Sequence, residues 1–132
     1  MCAVINTNNV EDKIFELINE ERVNRGLPKL IRDNALATAA KEWSQHMAET
    51  GTVEHGDFDN RMANLGYYAG CGEIIGMHNG WAISLARSFV DMWLNSQGHR
   101  EIMLMPLSGC MGVGVSKSIS GFYGVVDFHF NY

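Results

Sequence analysis

Three segments of this chain set an ionisable side chain beside glycine: Glu54-His55-Gly56, Gly70-Cys71-Gly72-Glu73-Ile74, and Trp93-Leu94-Asn95-Ser96-Gln97-Gly98-His99-Arg100. In the last, a helix-stopping Gly98 closes an amphipathic stretch and His99 stands just past the stop. Two imidazoles and one carboxylate from separate segments suggest one cleft built from loops and element ends. Neutral imidazoles are good ligands for zinc or a similar divalent ion, with a glutamate or a water completing an open site. His55 and His99 are therefore the candidate metal ligands, and His55, Glu73 and His99 the candidate ligand-binding set. The same trio can serve as a general acid and base, the carboxylate orienting one imidazole. Ser96, three residues before His99, is the hydroxyl candidate, so any catalysis would fall to His55, Glu73, His99 and Ser96. No GxSxG elbow, HExxH helix or phosphate-binding glycine loop accompanies them.

Each position also has a plainer reading. His55 can be a loop residue bonded to backbone. His99 can cap or open a short helix over His99–Leu104. Glu73, behind two glycines, can bond backbone amides at the start of a strand. His46 reads as surface or packing, His78 as a loop tip, and His129 as facing away from Phe128 and Phe130. Asp57, Asp59 and Asn60 lack the closing glutamate of a calcium loop. Most of the methionines read as core filling.

Composition bounds the function. The 132 residues suffice for one packed domain, and 46% hydrophobic with 19% charged residues fits a core, not a disordered tail. A net charge of −5, with Lys and Arg scattered, argues against a nucleic-acid partner. No apolar run approaches the ~20 residues of a membrane span. The start, Met-Cys-Ala-Val-Ile-Asn, lacks the basic and apolar regions of a signal peptide. Either the protein is cytoplasmic or a leader has been removed. Cys71 and Cys110 both lie in glycine-flanked segments and can pair, leaving Cys2 over; three free thiols is the alternative. Pairing requires Cα atoms ~4.4–6.8 Å apart and would support an oxidising, exported location.

The elements that must position these groups are helices first and a hairpin last. Residues 1–8 read as a polar lead-in and 9–132 as a single domain. Asn8 or Asn9 caps a helix to about Asn24, and Asp33 or Asn34 caps a second that Gly51 closes. Residues from Thr52 to Gly80 read as loop, with a short helical turn around Asn60–Leu65. A third helix, largely apolar around its circumference, runs from about Trp81 to Asn95. Two strands follow, over 111–116 and Phe122–Phe130, joined by Ser118-Ile119-Ser120-Gly121. Gly112 and Gly114 on one strand face require a close neighbour; the Trp81–Asn95 helix lying across them is one explanation, a ligand cleft the other. The fold class is α+β, helices flanking a small antiparallel sheet.

Together, Asn19-Glu20-Glu21-Arg22, Leu27-Pro28-Lys29-Leu30, Ala35–His46, His55-Gly56, Gly72-Glu73-Ile74, Trp93–His99 and Met111–Val115 resemble the bacterial branch of the CAP superfamily. That superfamily includes cysteine-rich secretory proteins, venom antigens and plant pathogenesis-related proteins. The resemblance spans roughly residues 10–130 in order. It implies a three-layer α-β-α sandwich with a central cavity lined by His55, Glu73 and His99, and an extracellular or cell-surface location. Animal and plant members carry a second glutamate where this chain has Ser96, and Glu101 lies two residues beyond His99, so a mechanism needing two carboxylates is in doubt. The expected function is an SCP-like binding module whose cleft takes a divalent metal, a small apolar ligand or a protein partner. The alternative is a hydrolase, metal-dependent or not, acting on peptide or cell-wall material. No cofactor is required by these motifs; a divalent cation such as zinc is the one they admit.

Overall fold

The structure, a computed structural model, describes residues 5–131. Residues 1–4 of the expected lead-in, including Cys2, lie outside that range. Asn6, not Asn8 or Asn9, caps the first helix: its side chain accepts from the Asn8 and Asn9 amides, so α1 spans Thr7–Asn24. A two-residue strand β1 follows (Ile31–Arg32). Asp33 then caps α2 (Asn34–Thr50), and Gly51 closes it in the left-handed conformation at φ 68°. Both ends of α2 fall where the side-chain chemistry placed them.

The stretch expected to be loop contains two elements. The helical turn is α3 (Phe58–Ala63), and Cys71–His78 is a full strand, β2. Three glycines within and just before β2 hid it, because glycine is depleted in strands. The Trp81–Asn95 helix is shorter than expected: Ser84 caps α4, which spans Leu85–Leu94. A two-residue break separates it from α5 (Gln97–Met103), so Gly98 lies within a helix and does not stop one, and His99 sits in the first turn of α5 and not at its cap. The hairpin is β3 (Gly109–Ser118) and β4 (Gly121–Phe130).

The sheet order is β1-β3-β4-β2, antiparallel except for the parallel β1–β3 pairing. Helices cover both faces, giving the three-layer α+β sandwich. On one face α1, α4 and α5 enclose Ile14, Ile18, Phe89, Trp93, Met111 and Phe128. On the other, α2 packs against Ile75, Tyr123 and Val125. The glycine stripe belongs to that second face. A Cβ at Gly112 would collide with the Leu36–Ala37 backbone, and one at Gly114 with Ala40–Lys41. The helix lying on the glycines is therefore α2, and the expectation that Trp81–Asn95 does so is wrong. Alternation along the strands puts α4 on the opposite side, against Gly76 and Gly124.

Two residues of the Asn19–Arg22 segment clamp the α1 end. Asn19 brackets Leu30 with two hydrogen bonds, to its carbonyl at 3.0 Å and from its amide at 2.9 Å. Buried Arg22 donates to the carbonyls of Pro28, Met103, Met105 and Leu107. This guanidinium ties α1 to the end of α5 and so fixes the helix that carries His99.

Candidate functional site

The 54–56 loop is held from below by Trp43 of α2, whose indole N–H donates to the Glu54 carbonyl at 2.8 Å. Gly56, at φ 58°, lies on that indole, and a Cβ there would run into the ring. His55 is thereby aimed at β2, where its Nδ1 lies 2.8 Å from Glu73 Oε1. Glu73 is buried, while the His55 side chain remains 54% exposed.

Arg61 of α3 completes the fixation. Its Nη2 donates to the His55 carbonyl at 2.7 Å and to Glu73 Oε1 at 3.0 Å. Its Nη1 lies 2.9 Å from Glu73 Oε2, close enough to pair but without hydrogen-bond alignment. The guanidinium also covers the Trp43 ring, 4.2 Å from the centroid.

Asp127 of β4 is the register partner of Glu73, fully buried, and 3.8 Å from Arg61 Nη1. Two buried carboxyl groups therefore share a single guanidinium. Burial, the hydrogen bond to Glu73 and the Glu73 charge push Asp127 up to about 10, against the pull of Arg61. Asp127 thus carries a proton at neutral pH. That proton gives a donor to Glu73, whose Oε2 otherwise lacks a hydrogen bond, as do both Asp127 oxygens.

His99 stands on α5, on the other face of the sheet, near enough to His55 to feel its charge. β2 is an outer strand, and Gly72 lets α5 lie close upon it: a Cβ there would sit 2.8 Å from Ile102 Cγ2. Burial first, then the charge of nearby His55, holds His99 below the ordinary imidazole range. Its Nδ1 is buried and without a hydrogen-bond partner.

Other candidates fall outside this cluster. Ser96 is the N-cap position of α5, and its side chain makes no cap bond there. Glu101 accepts from Gln97 at 2.9 Å on the exposed side of α5. His46 stacks on Trp43, His78 ends β2, and His129 stacks on Tyr67. Cys71 and Cys110 are free thiols. Both register opposite His129, one on each side of β4, so two strand spacings of about 4.8 Å separate them. The pairing considered for them does not occur.

A cleft of about 630 Å³ opens between α2 and α3, lined by Ala35, Thr38, Ala39, Trp43, His46 and Arg61 among others. It meets the His55–Glu73 cluster only through Trp43 and Arg61. Among the described residues, no three His, Cys, Asp or Glu side chains are grouped to hold a metal ion.

A family model described as CAP, the cysteine-rich secretory protein family, matches residues 15–130. The chain belongs to the CAP family. This CAP domain is 32% identical to YkwD of Bacillus subtilis, over 82% of this chain and 43% of that protein. The chain thus spans less than half the length of that relative. The fold is shared with an outer surface protein of Borrelia burgdorferi (TM-score 0.81, 24% identity, covering 99% of this chain and 100% of that one). It is shared too with an extracellular protein containing an SCP domain from Bacillus anthracis (TM-score 0.76, 24% identity, 98% of this chain, 45% of that one). No helix of the described CAP domain is long and apolar enough to cross a membrane.

Sequence reasoning did not pick out Arg61 or Asp127. Asp127 had a legible signal, being the lone acid in the apolar run Phe122–Phe130. Arg61 had none, because its role depends on where α3 lies.

Proposed function

We propose that this CAP domain is an extracytoplasmic binding module holding a divalent cation at an open site through His55 Nε2 and His99. The observation that carries the reading is the 2.8 Å contact of His55 Nδ1 with Glu73. A carboxylate accepting from one ring nitrogen fixes the tautomer and leaves the other bare, the usual arrangement behind a metal-bound imidazole. The depressed His99 supplies a second neutral nitrogen, and its unpartnered Nδ1 is in want of a ligand.

Glu73 is occupied by His55 and Arg61, so it supports the site from behind and does not bind the ion. Two nitrogen donors fit a site whose remaining positions belong to water or to a ligand, not a closed four-residue zinc site. Such an ion would supply Lewis acidity to whatever ligand completes its coordination. An extracytoplasmic location draws on the family and on the extracellular relative. The hydrolase reading lacks a supporting contact, because Ser96 is not hydrogen-bonded to a base.

Calorimetry with zinc tests the proposal. At about pH 7.5 the parent binds, and at about pH 5.5, below the ~6.5 of a free imidazole, binding weakens by tenfold or more. The double variant His55→Ala/His99→Ala binds no zinc while keeping the parent's circular dichroism. Equal affinity in that variant, or none in the parent, overturns the reading.

A further inference from the structure

Three large apolar side chains stand in solvent at one end of the sheet. Trp81 is 89% exposed, Ile83 109% and Ile119 110%. They come from two loops, residues 79–84 between β2 and α4, and the turn joining β3 to β4. Strand register sets the loops side by side: His78 pairs with Phe122, and Gly121 backs directly onto His78 and Asn79. The first loop owes its shape to polar bonds. The Gly80 amide donates to His78 Nδ1 at 2.9 Å, and the Trp81 amide to Asn79 Oδ1 at 2.8 Å. Trp81 and Ile83 are therefore not what holds it. Single exposed apolar residues are ordinary, but three converging on one pole mark a contact surface.

Neither loop carries an acid of its own. No Asp or Glu occurs between Glu73 and Asp91, nor between Glu101 and Asp127, in a chain with 15 acidic residues and a net charge of −5. Lys117 is exposed beside the turn and forms no ion pair among the described residues. Arg87, in the first turn of α4, lies 3.5 Å from Asp91.

We propose that this pole docks on an anionic lipid surface, with Trp81, Ile83 and Ile119 entering the headgroup layer and Lys117 meeting its charge. Two narrow loop tips offer separate points of insertion, not the flat or concave face that a folded partner would match. An indole is well suited to the boundary between water and hydrocarbon, where its ring is buried and its N–H stays hydrated. A basic side chain near such a surface adds attraction that salt weakens. Neither loop tip carries a carboxylate that would meet the lipid charge directly.

Co-sedimentation with phosphatidylcholine vesicles, with and without phosphatidylglycerol, tests the proposal. The protein pellets with the mixed vesicles, less with phosphatidylcholine alone, and less at high salt. Trp81→Ser lowers partitioning about tenfold, as removal of one inserted aromatic requires. Lys117→Ser lowers it about fivefold on the anionic vesicles only. The triple variant Trp81→Ser/Ile83→Ser/Ile119→Ser stays in the supernatant, with an unchanged melting temperature because these side chains have no core role. Failure of the parent to pellet, or equal pelleting of the triple variant, overturns the proposal. So does a dimer in gel filtration that the triple variant abolishes, since a second copy would then cover the patch.

Discussion

Glu73 is the residue on which the site turns. It accepts from His55, pairs with Arg61 and accepts a hydrogen bond from protonated Asp127, so three neighbours fix one buried carboxylate. A second carboxyl does lie beside Glu73, but it comes from β4, not from the Ser96 position, and is fully buried. Its titration has a definite sign. An unfolded aspartate releases its proton near ~3.9, whereas Asp127 keeps it up to about 10. Between those values the folded state holds the extra proton, so Asp127 makes stability fall as pH rises through that window. Asp127→Asn keeps a donor for Glu73 without needing a proton. At alkaline pH this variant should equal or exceed the parent by about 1–3 kcal/mol in urea unfolding, with a flatter pH dependence. Asp127→Ala, which strips Glu73 of that donor, should lose about 1–3 kcal/mol at neutral pH. His99 acts in the opposite direction: its folded pKa is lowered, so its contribution is lost as pH falls below the unfolded value of ~6.5. His99→Ala should remove that acid-side loss.

At the scale of elements, the α2–β3 contact decides where the cluster can form. Gly112 and Gly114 let the α2 backbone lie directly on the strand, which brings Trp43 under the His55 loop. The helix start is held as well: Asp33 Oδ1 accepts from the Leu36 amide at 2.9 Å, and Oδ2 from the Tyr67 hydroxyl at 2.6 Å. That second bond ties the start of α2 to the loop before β2. Gly112→Ala meets backbone, which cannot swing aside as a side chain would. It should cost about 3 kcal/mol, the upper end for overpacking, and weaken zinc binding through displacement of Trp43. Gly98→Ala, where a Cβ meets nothing within 4 Å, is the matched control and should cost no stability and leave zinc binding unchanged.

For the whole molecule, the proposed site would link binding to folding, because its two histidines belong to opposite faces of the sheet. His55 comes with the α2–α3 layer and His99 with the α4–α5 layer, so an ion held by both staples the layers across β2. Zinc at a hundredfold excess over its dissociation constant should raise unfolding free energy by about 2.7 kcal/mol, read as a higher melting temperature. The double histidine variant should show no such shift. No disulfide contributes among the described residues, and burial raises the thiol pKa of both Cys71 and Cys110. Both should react slowly with a thiol reagent at neutral pH under non-reducing conditions, and reductant should leave the melting temperature where it is.

What the sequence determined by itself is whatever depends on neighbours along the chain. Asp33 and Gly51 bound α2 because a cap bonds amides within one turn and a left-handed stop is local. The alternation in Phe122–Phe130 marked a strand for the same reason. The order of motifs carried the family, and with it the layered fold and attention to His55, Glu73 and His99. Only tertiary structure decided the rest. β2 is too glycine-rich to declare itself, since those glycines answer to Ile102, Met92 and Trp93, which approach from distant segments. Gly112 and Gly114 announced a close neighbour without saying which, and α2 proved to be the helix. Arg61 and Asp127 entered the site because α3 and β4 converge on Glu73, and the pKa of Asp127 is set by that shared burial, a property of the assembled layers that no local stretch of sequence contains.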